Sequence, residues 1–401
     1  MKRVLYSDKR LVFGTYKYIF LYILKTFVSP KPWANIGARP KGDEDRKAHV
    51  LKFAQRGKSR HPMKFSVVIA TYNRADELVK TLESMSALQV GEPWEAIVVD
   101  NNSSDNTRAV VEKAAETFPV PLRYLFERQQ GRSAALNTGI KAAQGDLIAV
   151  TDDDVRLETN WLTNAAAELD SLECDYLGGK ALPLWGGARP SWIPEGRCIH
   201  WAVIALLDYG PNPIPLGDYV PLGVNMVFRR EAFERAGLWD NTIGRRAGTL
   251  LGQEVREWVQ RARAANVKGF YSPKLAVHHV IPADRLTKKY FRSWFYWHGI
   301  SRAILYQTRG LDMESPESTE HDFSQVPHIA GIPRYMYRTY LQSFWSMLSS
   351  FVRSDQAGAF EHELGLWFFA GVIKERWKDR RQPLPPRRTT IGDSASQLSR
   401  T

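Results

Sequence analysis

Cysteine is nearly absent. Two residues, Cys174 and Cys198, in a chain of 401 exclude a disulfide framework, and without a CxxC spacing nothing points to structural zinc. A reducing, cytoplasmic compartment is the expected setting. A long clean hydrophobic run is lacking too. A spanning helix needs about 20 predominantly apolar residues, and the best stretch, LVFGTYKYIFLYILKTFVS (11–29), carries Lys17 near its middle. No small-residue cleavage site follows it directly, which argues against a secretory signal. The stretch reads as an aromatic-rich helix lying in a membrane interface, with Lys9, Arg10, Lys17 and Lys25 reaching the headgroups; a single span is the alternative. Internal repeats are also missing.

Acidic residues are scarce at both ends. Residues 1–64 carry 16 Lys and Arg against 4 Asp and Glu, residues 374–401 carry 8 against 3, and the whole chain nets +12, so the stretch between them nets −5. A basic total first suggests nucleic acid, but here the charge sits outside the region that holds the motifs. Basic ends beside apolar aromatic segments suit an anionic membrane surface, where each Lys or Arg contributes about 1 kcal/mol. Solvated tails are the bland alternative. No nucleic-acid partner is expected.

What is present is an alternation of strands and helices. The runs FSVVIA (65–70), WEAIVVD (94–100), LRYLFE (122–127) and LIAVT (147–151) read as strands covered on both faces. Between them lie segments of helical period marked by Leu78, Leu82 and Met85, then Val110, Val111, Ala114 and Phe118, then Ala134, Ala135 and Ile140. Ser103 and Ser104 are placed to cap the second helix. The pattern predicts an α/β, doubly wound, mostly parallel sheet. After residue 175 the alternation fades into a mixed half: strands at DYLGGKALPLW (175–185) and YVPLGVNMVFRR (219–230), a helix at 253–266, and aromatic helices at 285–308 and 334–353. The expected organisation is a membrane-associating helix (1–28), a linker (29–63), a catalytic domain (64–310), a helical extension (311–380) and a disordered tail (381–401).

In such sheets ligands bind beyond the carboxyl ends of the strands. The fourth strand ends in Asp152, Asp153 and Asp154. Adjacent carboxylates repel, and a divalent cation would offset that repulsion: Mg²⁺ or Mn²⁺ takes one or two carboxylates together with phosphate oxygens. If the backbone stays extended, Asp152 and Asp154 face one side. An acidic turn capping the next helix is the structural alternative. Asp100, at the end of the second strand, could accept a hydrogen bond from a base or ribose, or cap a helix. His278 and His279 are consecutive at a strand end, so one of them, taken as His279, could face the cleft as a metal ligand or phosphate contact; a structural role competes. Arg245 and Arg246 suit a diphosphate.

Four ordered segments, FSVVIATYNRADELVKTLESM, AIVVDNNSSDNT, GRSAALNTGIKAAQGDLIAVTDDD and the later LGQE, together resemble the successive motifs of family 2 glycosyltransferases over about residues 65–300. The resemblance implies a GT-A fold, with helices added at both ends in this chain, and inverting transfer of a sugar from a nucleotide diphosphate sugar. It further implies that Asp154 ligates the metal and that Asp152 approaches the ribose or the metal. Thr71 and Tyr72 would contact the base, Arg74 the diphosphate, and Arg132 would sit near the nucleotide. The family's catalytic base is the second acidic residue of a pair opening a helix. Here Gln253 replaces the first, leaving Glu254 as candidate base and Glu257, one turn on, as fallback; a salt bridge with Arg261 is its structural alternative.

The QxxRW motif and multiple spans of the family's processive synthases are missing, which favours single addition. The aromatic cluster YFRSWFYWHG (290–299) could be core, acceptor platform or membrane contact. The expected enzyme uses a UDP-linked donor and Mn²⁺ or Mg²⁺, with a membrane-associated or lipid-linked glycan as acceptor, at the cytoplasmic face of a membrane. Two alternatives stay open: a nucleotidyltransferase, although ATYNRADE lacks that class's basic, Gly-rich loop, and an inactive sugar-nucleotide-binding module at the membrane surface.

Overall fold

The computed structural model describes residues 63–193, 199–217, 219–311, 313 and 326–378. The expected N-terminal helix, nearly all of the linker, Cys198 and the basic tail lie outside the described residues. Strands β1 (Met63–Thr71), β2 (Trp94–Asp100), β3 (Leu122–Phe126) and β4 (Gly145–Asp152) run parallel in the order β3-β2-β1-β4. Helices α1 (Ala75–Ser86), α2 (Thr107–Ala115) and α3 (Arg132–Ala142) connect them. Val67, Val68, Ile97, Val98 and Val150 are completely buried, as expected where crossover helices cover both faces of a sheet.

The serines do not cap α2. Asp105 accepts from the Thr107 amide at 3.1 Å, and its other oxygen accepts from the Ala75 amide at 3.1 Å. Ser103 Oγ instead accepts from the Asn73 amide at 2.9 Å, and Asn73 Oδ1 accepts from the Ser104 amide at 2.7 Å. The expected caps therefore tie the loop after β1 to the loop after β2.

The second half of the sheet is mixed. Its elements are β5 (Val155–Leu157), α4 (Trp161–Ser171), β6 (Tyr176–Trp185), α5 (Ile199–Val203), β7 (Ile214–Leu216), β8 (Asn225–Arg229), α6 (Arg230–Ala236), α7 (Glu254–Ala264) and β9 (Gly269–Ile281). Strand β8 lies antiparallel between β4 and β6, and β6 pairs in parallel with β9. The far edge of β9 receives β7 at its start and β5 at its end. The strand expected over 219–230 is shorter, because Tyr219–Val224 runs as a loop along the cavity before β8 begins. The two short edge strands β5 and β7 were not anticipated; at three residues each they leave no readable alternation.

The chain then forms α8 (Lys288–Arg309), a hairpin of β10 (His328–Ile329) and β11 (Ile332–Pro333), α9 (Arg334–Val352) and α10 (Gln356–Lys378). Thr287 caps α8 by accepting from the Tyr290 amide at 3.2 Å. These helices bury a second apolar core with Phe291, Phe295, Met336, Phe360 and Phe368, apart from the core of the sheet. Helices α8 and α10 cross at Gly299 and Gly371, where an added Cβ would meet the carbonyl oxygens of Phe368 and Tyr296 respectively. Among the described residues no helix is long and apolar enough to cross a membrane.

Candidate active site

A cavity of about 930 Å³ opens beyond the carboxyl ends of β1, β2 and β4. Its walls carry seven arginines and no lysine among the described residues. The three aspartates stand at its inner edge, but they do not alternate as an extended strand would. The backbone turns at Asp153 and Asp154 before β5 resumes at Val155. The extended backbone on which the shared facing of Asp152 and Asp154 depended is therefore replaced by a turn: all three aspartates line the cavity, Asp152 meeting Arg132 and Asp153 and Asp154 both meeting Arg74.

Arg132, the first residue of α3, donates to Asp152 Oδ1 at 2.6 Å and to the Gly223 carbonyl at 2.9 Å. Its Nη1 lies 3.5 Å from Glu254 Oε1. One guanidinium thus links the last residue of β4 to the first residue of α7.

Asp153 points inward. It accepts from Thr71 Oγ1 at 2.8 Å and from Arg74 at 3.0 Å, and burial, followed by the charge of Asp154, pushes its carboxyl up to about 6. Asp154 behaves oppositely. Burial raises it too, but His279, Arg74 and Arg285 outweigh burial and hold its carboxyl well below the usual carboxylate range. Arg74 approaches at 2.6 Å, His279 Nε2 at 3.2 Å and Arg285 at 3.6 Å. Of the two neighbours, Asp154 keeps its charge to the lower pH.

Strand pairing explains the Asp154–His279 contact. Val155 is in register with His279, and the Val280 amide donates to the Asp154 carbonyl at 2.8 Å. His279 is thereby buried at the cavity wall, while His278 turns to the other face, 3.7 Å from Glu158. Asp154 Oδ1 and His279 Nδ1 are buried without a hydrogen-bond partner. Asp154 and His279 both line the arginine-rich cavity, and a carboxylate beside an imidazole there fits a hard divalent cation that takes its remaining ligands from phosphate and water. No group of three His, Cys, Asp or Glu converges among the described residues, so the protein alone supplies an incomplete cage.

Tyr72 lines the cavity and is 38% exposed. Asp100 does not line it. Its oxygens accept from the Ser103 amide at 2.8 Å and from Tyr124 Oη at 2.8 Å, so the base or ribose contact expected of Asp100 finds its carboxylate turned into the loop. The next residue, Asn101, lines the cavity instead, and its Oδ1 accepts from the Gly131 amide at 2.8 Å.

Glu254 opens α7 on the cavity wall, after Gln253 in a left-handed conformation with φ of 82°. Glu257 is buried away from the cavity. Arg261 donates to its two oxygens at 2.8 and 2.9 Å, and Arg309 lies 3.5 Å away. Arg245 and Arg246 line the mouth, and the Arg245 carbonyl accepts from the Arg132 amide at 2.9 Å. Sequence reasoning missed Arg285, which no motif marks, and Asp153, whose role as the inner anchor depends on the turn. The aromatic cluster at 290–299, for which core, acceptor platform and membrane contact were left open, gives Trp294 and Phe295 to a far arm of the cavity between α8, α9 and α10, whose other walls, Leu364 and Phe368 with Arg302 and Glu361 among them, no motif marks.

Comparison with known proteins agrees with this architecture. Residues 66–237 match Glycosyl transferase family 2. The glucosyl-dolichyl phosphate glucuronosyltransferase of Haloferax volcanii is 23% identical over 252 residues, 61% of this chain and 77% of that one. The succinoglycan biosynthesis protein ExoM of Rhizobium meliloti is 26% identical over 237 residues, 56% of this chain and 71% of that one. The mannosyltransferase PcManGT of Pyrobaculum calidifontis, solved with GDP-Man and Mn²⁺, superposes with a TM-score of 0.54 at 15% identity, covering 92% of this chain and 98% of that one. The parallel strands ending in an aspartate cluster, the helix opened by Glu254 and these likenesses together describe a transferase enzyme whose residues 66–237 match glycosyltransferase family 2 and whose sheet has the GT-A fold.

Proposed function

We propose that the enzyme transfers a single sugar, with inversion, from a nucleotide diphosphate sugar to a hydroxyl of a membrane-associated or lipid-linked glycan. The observation that carries this reading is the pairing of Asp154, buried, ionised and 3.2 Å from the His279 imidazole, with Glu254 on the wall of the same cavity. A UDP-linked donor is the first to test. The work of relatives on a dolichyl phosphate sugar and on succinoglycan supports the acceptor class.

Asp154 and His279 would hold Mg²⁺ or Mn²⁺, which would offset the charge developing on the departing diphosphate. Tyr72 offers a ring face to the base. Arg74 and Arg285 stand beside Asp154 where phosphate oxygens would lie, with Arg245 and Arg246 at the mouth. Thr71 and Arg74 fix Asp153, which keeps the turn in place. Arg132 orients both Asp152 and Glu254. The Glu254 carboxylate takes the proton of the acceptor hydroxyl as its oxygen bonds to the anomeric carbon, and the bond to the diphosphate breaks on the opposite face. The basic ends support attachment at the cytoplasmic face of a membrane.

The test is donor hydrolysis by the purified protein across UDP, GDP and dTDP sugars with Mn²⁺ or Mg²⁺, against Asp154→Asn. Metal-dependent release of one nucleoside diphosphate, lost in the variant, is expected. Cleavage between the phosphates would instead mean nucleotidyl transfer. Equal release by the variant would remove Asp154 from the reaction.

A further inference from the structure

Ten of the fourteen large apolar side chains left exposed among the described residues lie on the last two helices. On α9 they form one stripe. Leu341, Phe344, Trp345, Leu348, Phe351 and Val352 recur at the three- and four-residue spacing of a single helix face. Trp345 is 61%, Phe351 76% and Val352 83% exposed. The other face of α9 is buried through Met336, Thr339, Tyr340 and Ser343, and Thr339 and Tyr340 wall the far arm of the cavity. A contiguous apolar stripe of this length marks an interaction surface.

Charge identifies the partner. Exposed Arg334 and Arg338 continue the stripe at one end and exposed Arg353 closes it at the other, with no Asp or Glu from 334 to 354. The partner must therefore be apolar and anionic at once. Residues 1–62 carry 15 Lys and Arg against 4 Asp and Glu, so they would bring like charge to the arginines. A second copy would bring the same arginines face to face. Residues 314–325 hold four acidic residues but a single large apolar one, Phe323, too little to cover six side chains. An anionic bilayer surface supplies both needs, acyl chains for aromatic rings at headgroup depth and phosphates for arginine.

We propose that the outward face of α9 docks the enzyme on an anionic lipid bilayer. This deepens the membrane attachment proposed above and rests on it for the nature of the partner, while assigning the contact to a surface separate from the basic ends. Because the inner face of α9 walls the cavity, docking would bring the far arm alongside the headgroup layer, where a lipid-linked acceptor presents its glycan.

The experiment is co-sedimentation of the full-length protein with phosphatidylcholine vesicles and with vesicles that also contain phosphatidylglycerol. Wild type is compared with Trp345→Ser/Phe351→Ser and with Arg338→Gln/Arg353→Gln, and donor hydrolysis reports whether each variant is folded. Expected is partition that favours anionic vesicles, a loss of at least about tenfold in the aromatic variant on either vesicle, and a loss of about tenfold in the arginine variant on anionic vesicles alone. Equal partition of wild type and the aromatic variant would leave attachment to the basic ends and overturn the assignment. A lipid-free dimer that becomes monomeric in the aromatic variant, with vesicle binding unchanged, would give the face to a second copy and overturn it too. A wild type that ignores both vesicles would overturn the assignment and the attachment together, whereas the donor assay judges sugar transfer on its own.

Discussion

Single residues divide the labour among neighbouring acids. Glu254 and Glu257 sit one turn apart on α7, yet only Glu254 reaches the cavity, and Glu257 is held by Arg261. Glu254→Gln is expected to lower transfer about 10²- to 10⁴-fold while the donor's apparent affinity barely moves. Glu257→Gln should keep activity and lower Tm, with about 1–3 kcal/mol lost as a buried ion pair is weakened. The reverse pattern, by steady-state kinetics and thermal melting, would move the base to Glu257. His200 gives a pH prediction. It is buried among Trp192, Phe291 and Phe360, and neither ring nitrogen has a partner. Burial holds it down to about 4 from an ordinary 6.5. Between those values the unfolded chain binds a proton that the folded chain refuses, so stability falls as pH falls through the window, by up to about 3 kcal/mol. Melting His200→Leu beside wild type at pH 7.5 and at pH 5 should show a smaller acid loss in the variant; parallel losses would assign the sensitivity elsewhere. The aspartate cluster and the histidine pair stood out by residue type and place, and Glu254 only by its position in a family motif. The split between Asp152 and Asp154 was not legible, because a two-residue turn leaves no mark in a run of identical residues.

At the scale of elements, regularity decided what could be read. The four parallel strands and their helices were visible because burial on both faces writes continuous apolar runs and crossover helices write a 3.6-residue period. The short strand β5 was hidden, and yet its pairing with β9 is what brings His279 to Asp154. The crossing of α8 and α10 was hidden as well, since it depends on two glycines 72 positions apart in sequence. Both face backbone, which cannot retreat as a side chain can. Gly299→Ala or Gly371→Ala should therefore push the helices apart and cost about 1–3 kcal/mol. Urea unfolding would register the loss, and an unchanged midpoint would show that the crossing has slack.

Over the whole molecule, two cores share one cavity. The sheet core holds the end bearing Asp154, and the helical core walls the far arm. Sequence reading separated these regions by composition but had no means of joining them, because the arm is assembled from side chains spread between Trp294 and Phe368. Phe368→Ala should leave donor hydrolysis near wild type and lower kcat/KM for the acceptor about tenfold or more, the scale of a lost apolar contact. A matching fall in hydrolysis would mean that the arm belongs to the donor. The arginine-only cationic lining has a practical side. Amine-directed reagents, from acylating agents to the coupling chemistry used to fix proteins on solid supports, find no target inside the cavity among the described residues, whereas guanidine-directed dicarbonyls meet Arg246, exposed at its mouth. Immobilised enzyme should thus keep its turnover, and inactivation by phenylglyoxal, slowed by bound nucleotide, would report directly on occupancy of the donor end.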